Sequence, residues 1–373
     1  MATPADAARA SQRDVLGQHL ARLPRWTLAI GLTLLPIVAL INVGVLVWSL
    51  GVVDLAQRIL APQLLVLAAM LALVPMVANA VRLAMWSRFL GLPLGLAGAL
   101  RVITGTMLAN SVTPSATGSV PIKVLMLMGE GIPARRGISL ISFQAAEDAL
   151  VMFSLLALCI TLSGFALFDF LGSDTTFYDN FDRNLRNAAM IGLGLIAALA
   201  VLGALTAAGV FGHRVRSWSV RRVRHIRVAA ALIIGDWRAL ARGGKRIALF
   251  SLCLAVVQWS VRFSIAGLVL AAFGIAWQPA LFWLLQYLVQ AISASVPTPG
   301  GAGGAEAGFV LLFGPFVDRT VLFPAMSAWR LLFFYLPLAG AAVIFFILRR
   351  RLRHEAIRRA PEAPATAAQV PAE

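Results

Sequence analysis

The sequence predicts an all-α polytopic membrane protein: six full transmembrane helices plus two re-entrant helical hairpins, arranged as an inverted-topology repeat. Three observations predict it. The 373 residues are 60% hydrophobic and 13% charged, with a mean hydropathy of +0.85, whereas about a quarter of the residues in a soluble domain are charged. Apolar blocks of the roughly 20 residues needed to cross a bilayer recur along the chain. Two further apolar stretches are interrupted in their middles by runs rich in Pro and Gly. The blocks leave no room for a soluble catalytic domain.

The charge balance points the same way. The chain has 32 Lys and Arg against 16 Asp and Glu. Such an excess often marks a nucleic-acid partner, but 20 of these cations fall in three short segments between or beyond apolar blocks. That is the pattern of membrane loops, so no nucleic acid is expected. Cys159 and Cys253 lie inside apolar blocks without metal-ligand spacing and read as small core hydrophobes. The four histidines, His19, His213, His225 and His354, lie outside the blocks, so neither a metal site nor a cofactor is expected. The first block is too long for a cleaved leader and reads as retained.

Full-length spans are predicted near residues 27–50, 63–86, 138–168, 188–211, 247–273 and 321–348. Residues 1–26 form a cytoplasmic N-terminal segment, 27–348 the membrane domain, and 349–373 a basic, then disordered, cytoplasmic tail. The stretches 94–129 and 280–316 are broken by Ser111–Pro121 (SVTPSATGSVP) and Ser295–Gly304 (SVPTPGGAGG), so neither is one continuous helix. Backbone freed by such breaks costs several kcal/mol per unpaired group in hydrocarbon, which puts the breaks in the protein interior.

Positive charge decides whether the broken stretches cross or return. If both cross, Arg135/Arg136 and the 212–246 loop, with ten Lys and Arg against Asp236 alone, face away from the basic N-terminus. If both are re-entrant, the N-terminus, Arg135/Arg136, the 212–246 loop and the C-terminal tail all lie inside, and the acidic loop around Asp169, Asp174, Asp179 and Asp182 lies outside. Span, span, hairpin, span then occurs twice with opposite starting sides, over about 27–168 and 188–348, which is an inverted repeat. The residues follow it: Arg82 and Arg262 are 180 apart, Ser111 and Ser295 184, and Pro114 and Pro299, like Gly118 and Gly303, 185.

In transporters of this build the substrate site forms near the midplane, where half-helix N-termini offer unpaired N–H groups and positive dipole ends to anions. Pro121 or Ile122 is expected to begin one half-helix, with Lys123 in its first turn. Ala305 is expected to begin the other, after Gly300, Gly301, Gly303 and Gly304. The bland alternative is that Pro and Gly only permit a tight turn.

Arg82, Glu147, Asp148, Arg262, Glu306 and Arg330 are charged residues within apolar blocks. Each costs roughly 2.5–3.5 kcal/mol at the bilayer centre, so they must be paired or wet. Glu147 and Arg330 are 183 apart, and the repeat axis is expected to bring opposite charges together across the interior. Arg82 stands at the end of its span, where it can snorkel. Glu306 can cap its helix. Glu147 and Asp148 are too deep to snorkel, and at least one should line a cavity.

The run PTPGGAGGAE, Pro297–Glu306, followed by Arg330, resembles the signature Pro-x-Pro-Gly-Gly-x-Gly-x-x-Glu of the transmembrane, flippase-like region of lysylphosphatidylglycerol synthases and their stand-alone bacterial and archaeal relatives. Pro114, Gly118, Lys123 and Glu147 fit the family's first signature. Ser119, Asp148 and Val151 depart from it where an acid, an arginine and an aspartate stand, which leaves the substrate open. Longer members carry an aminoacyl-transferase domain after the membrane region, whereas this sequence ends at Glu373. The resemblance therefore implies movement of a lipid with a phospholipid or polyisoprenyl-linked head group across the bacterial cytoplasmic membrane, with both termini cytoplasmic and a homodimer or a lipid-modifying enzyme as further partner. Pro114, Gly118, Lys123, Glu147, Asp148, Arg262, Pro299, Gly300, Gly301, Gly303, Glu306 and Arg330, with Arg82 as an outlying member, form the expected site. The alternatives are an intramembrane enzyme acting on a lipid head group, with Glu147, Asp148 or Glu306 as base, and a scaffold for lipid or glycan assembly.

Overall fold

The computed structural model describes residues 59–112, 119–163, 190, 231, 234–240, 242–296, 298 and 300–359. The expected first and fourth spans, the acidic loop, most of the first break and most of the basic loop lie outside the described residues. So do Pro114, Gly118, Pro297 and Pro299.

Every described element is a helix: α1 (Pro62–Leu71), α2 (Val74–Phe89), α3 (Leu96–Val112), α4 (Ser119–Gly129), α5 (Ala134–Leu162), α6 (Lys245–Ala272), α7 (Pro279–Ser295), α8 (Gly304–Phe313), α9 (Arg319–Arg330), a π-helical turn (Leu331–Tyr335) and α10 (Leu336–Arg359). Four helical segments, Pro62–Phe89 (α1 and α2 joined by the turn at Ala72 and Leu73), Ala134–Leu162, Lys245–Ala272 and Arg319–Arg350, are long and apolar enough to cross a membrane. Large apolar side chains such as Met70, Phe153, Leu249 and Phe346 stand on the outer surface. Helices that are hydrophobic all round suit a bilayer, where lipid tails replace water as the outer solvent. Cys253 is on that outer surface, not in the core as expected, because a small apolar side chain gains little from burial when its surroundings are hydrocarbon.

The order of elements repeats. The starts of α1 and α6, and of α3 and α7, are 183 residues apart; those of α4 and α8, and of α5 and α9, are 185 apart. Both broken stretches fold back on themselves. Gly98 lies against Glu130 and Gly105 against Met126, so α3 and α4 run antiparallel; Gly304 lies against Val296 and Gly308 against Ile292, which does the same for α7 and α8. The half-helices begin at Ser119 and Gly304, slightly earlier than Ile122 and Ala305.

The helices α1 and α2 run antiparallel to α6. Phe89, at the end of α2, meets Gly244 at the start of α6, whereas Leu60 N–H donates to Ala272 O at the end of α6. At the first of these ends Arg136 pairs with Asp236, and Arg101 clasps Glu130 at 2.7 and 2.8 Å across the open end of the first hairpin. The second hairpin opens at the other end, where Phe313 and Val317 share a core with Phe273 and Leu281.

Candidate functional site

The hairpins converge on one cavity of about 410 Å³. The C-terminal half of α3 contributes Met107, Asn110 and Ser111, and the tip of the second hairpin contributes Ser293, Gly300 and Gly301. Gly301 shows why that tip needs glycine. Its φ is +66°, and a Cβ there would lie 2.1 Å from Ser293 Oγ and 3.1 Å from Ser293 O, so no other residue fits without strain. Gly303, also at positive φ, caps α8 and is not on the lining. Asp148, Arg262 and Arg330 supply the charges of the lining.

Arg82 is fully buried and does not snorkel. Its Nη1 donates to Asp148 Oδ1 at 2.7 Å and to Gln258 Oε1 at 3.1 Å, and its Nη2 donates to Glu147 Oε2 at 2.8 Å. Glu147 Oε2 also accepts from Ser251 and Trp86, and Asp148 Oδ1 accepts from Trp259. This network locks α2, α5 and α6 together. Lys123 donates to Gln144 Oε1 at 2.7 Å, and the Gln144 amide donates to Asn79. Of the adjacent acids, Asp148 lines the cavity and Glu147 sits behind it. Lys123 belongs to this supporting layer and is not on the lining.

Arg330 anchors the second hairpin. Its Nη2 donates to Gly300 O at 2.8 Å, and its Nε stands 2.9 Å from Glu306 Oε1, with the N–H not directed along that line. The other oxygen of Glu306 accepts from Gly303 N–H at 2.8 Å, so Glu306 is both helix cap and counter-ion. The expected Glu147–Arg330 pairing does not occur. Each acid instead finds an arginine within its own repeat, because the hairpin that carries Glu306 folds directly onto α9.

Arg262 has no carboxylate partner among the described residues. Its guanidinium lies 4.3 Å over the Phe333 ring, and its Nε makes a long 3.5 Å contact with Gln290. Phe333 ends a column of rings, Phe313–Phe309–Trp329–Phe333, stacked at 4.4, 4.9 and 5.2 Å. A ring face stabilises the cation, by about 2 kcal/mol when desolvated, but leaves it positive. The π-turn, of a kind frequent at functional sites, puts consecutive rings to use: Arg262 lies over Phe333 and Arg330 4.5 Å over Phe334.

The sequence reading missed the cavity's amides, Asn79, Asn110, Gln258, Gln286 and Gln290. The signal was available: Gln258 precedes Arg262 by four residues, Gln286 precedes Gln290 by four, and Asn79 precedes Arg82 by three, a helical spacing that makes each pair share a face. Among the described residues no three His, Cys, Asp or Glu side chains cluster as metal ligands.

The model of the lysylphosphatidylglycerol synthase TM region matches residues 26–359. The chain belongs to that family. It is also similar to a UPF0104 membrane protein of Archaeoglobus fulgidus, 23% identical over 263 residues that cover 69% of this chain and 77% of the relative. Membership makes the chain a multi-pass membrane protein of a family tied to a membrane lipid, and the match spans both hairpins and every charged residue of the cavity.

Proposed function

We propose that the protein moves a lipid with an anionic, phosphate-bearing head group between leaflets, the head group passing through the cavity while its tails stay in the bilayer. The observation that carries this reading is Arg262: a cation without a carboxylate partner among the described residues, held by a ring face on the wall of a cavity lined by the end of α3 and the tip of the second hairpin. An uncompensated guanidinium is costly at membrane depth and calls for a mobile anion.

The accompanying topology is six full spans and two re-entrant hairpins, with both termini cytoplasmic. Helix lengths support it. Ten residues in α8 and eleven in α4 rise about 15 and 17 Å, roughly half of a 30 Å hydrocarbon core. The Arg136–Asp236 pair supports placing the Arg135 turn and the end of the basic loop on one side. Cysteines introduced by Arg135→Cys and Gly235→Cys, both at exposed positions, are expected to react with an impermeant maleimide from the same face of oriented vesicles; labelling from opposite faces would overturn the topology.

The functional test is redistribution of labelled anionic lipid in proteoliposomes, with recovery of the lipid to check that it is chemically unchanged. Arg330→Ala is expected to abolish redistribution, and Glu306→Gln to reduce it, with folded protein retained. The first frees the Gly300 tip; the second leaves Arg330 without its counter-ion. Normal activity in both variants would remove the second hairpin from the path, and a chemically altered lipid would indicate an enzyme instead.

A further inference from the structure

On the lining stands a side chain that none of the charge pairing uses. Gln286 is fully buried on α7, and among the described residues neither its Nε2 nor its Oε1 has a hydrogen-bond partner. One turn further along the same helix, Gln290 touches Arg262. Trp329, next to Arg330 and 1% exposed, also lines the cavity, its Nε1–H unpaired among the described residues. Buried polar groups left without protein partners are uncommon, and both of these belong to residues that line the cavity. A neutral amide offers one acceptor and two donors, and indole offers a donor. Together they match hydroxyl groups, which donate and accept at once.

Charge narrows the class further. Around the cavity Arg82, Lys123, Arg262 and Arg330 stand against Glu147, Asp148 and Glu306, one positive charge in excess, and on the lining itself Arg262 is the cation without a carboxylate partner among the described residues. Asp148 is the carboxylate of the lining among the described residues, and its Oδ1 is already occupied by Arg82 and Trp259. The wall is therefore better furnished for an anion with hydroxyls than for an ammonium group.

We infer that Gln286 and Trp329 form a hydroxyl-reading subsite beside Arg262, and that the lipid carried is a singly charged phosphodiester bearing a polyol or sugar. This rests on the reading of the cavity as a head-group site. The test uses phosphatidylcholine proteoliposomes doped with labelled phosphatidylglycerol, phosphatidylinositol or phosphatidylethanol. All three are phosphodiesters with one negative charge, and the last lacks head-group hydroxyls. The full chain is expected to redistribute at least one of the first two at least about tenfold faster than phosphatidylethanol, since a site that hydrogen-bonds a hydroxyl rejects the analogue lacking it. Gln286→Met keeps the side-chain length and removes the orphaned amide. It is expected to bring the three rates within about twofold while the thermal midpoint stays level or rises, because an unsatisfied buried amide stabilises nothing. Trp329→Phe, which keeps the ring stack and deletes the N–H, should act in the same direction. Equal rates for all three lipids in the unaltered protein, or an unchanged preference in both variants, would overturn the hydroxyl reading and leave lipid movement standing. No movement of any of the three would overturn both.

Discussion

Arg262→Ala is expected to lower lipid redistribution about 10- to 100-fold, the loss that follows from deleting one charge-assisted contact of roughly 1.5–3 kcal/mol to a phosphate. The protein should at the same time be no less stable. With no carboxylate partner among the described residues and a ring face in place of one, this guanidinium costs the empty fold energy that alanine does not. Loss of activity with level or raised thermal stability is the mark of a binding residue. Arg262→Lys should recover part of the rate, since it restores the charge without the planar fork. A variant that redistributes lipid normally, or one that fails to fold, would show that Arg262 has a structural task.

Arg82→Ala should give the opposite pattern. Arg82 is the buried counter-ion of both Glu147 and Asp148, and removing one partner of a buried pair leaves charge uncompensated, at about 3–5 kcal/mol. Most of the protein should be lost on extraction, or unfold at a markedly lower temperature. Adding Glu147→Gln and Asp148→Asn to Arg82→Ala should restore much of that stability, because the triple variant no longer buries unpaired charge. The cycle of variants isolates the coupling. If Arg82→Ala unfolds at the temperature of the unaltered protein, the network does not hold α2, α5 and α6 together.

The contrast between these two arginines explains which part of the site could be read from the sequence. Helix positions were legible because hydrophobic length and Pro-Gly breaks act locally: predicted spans at 63–86, 247–273 and 321–348 fall on helical segments at 62–89, 245–272 and 319–350. The breaks fell between α3 and α4 and between α7 and α8 for the same reason. The costly residues were legible too, since a charge within an apolar block stands out wherever it is. What the charges do was not. Arg82, near the end of a span, looked free to reach water, yet it is fully buried because α5 presents Glu147 and Asp148 to it and α6 presents Gln258. Glu306 meets Arg330, not Glu147, because pairing follows how the second hairpin lies on α9, a matter of packing that spacing along the chain does not encode. Gln286 went unremarked because an amide carries no net charge, although its isolation in an apolar stretch was visible.

The four-ring column joins two things that could have been independent. Phe309 and Phe313 come from the short arm of the second hairpin, and Phe333 ends the stack beneath Arg262. A tilt of that arm therefore shifts the platform on which the guanidinium rests, and an ion drawing on the guanidinium pulls back through the same rings. If the proposed lipid transport is correct, hold on the head group and position of the arm form a single mechanical coordinate, and an arm that swings also loosens the hold.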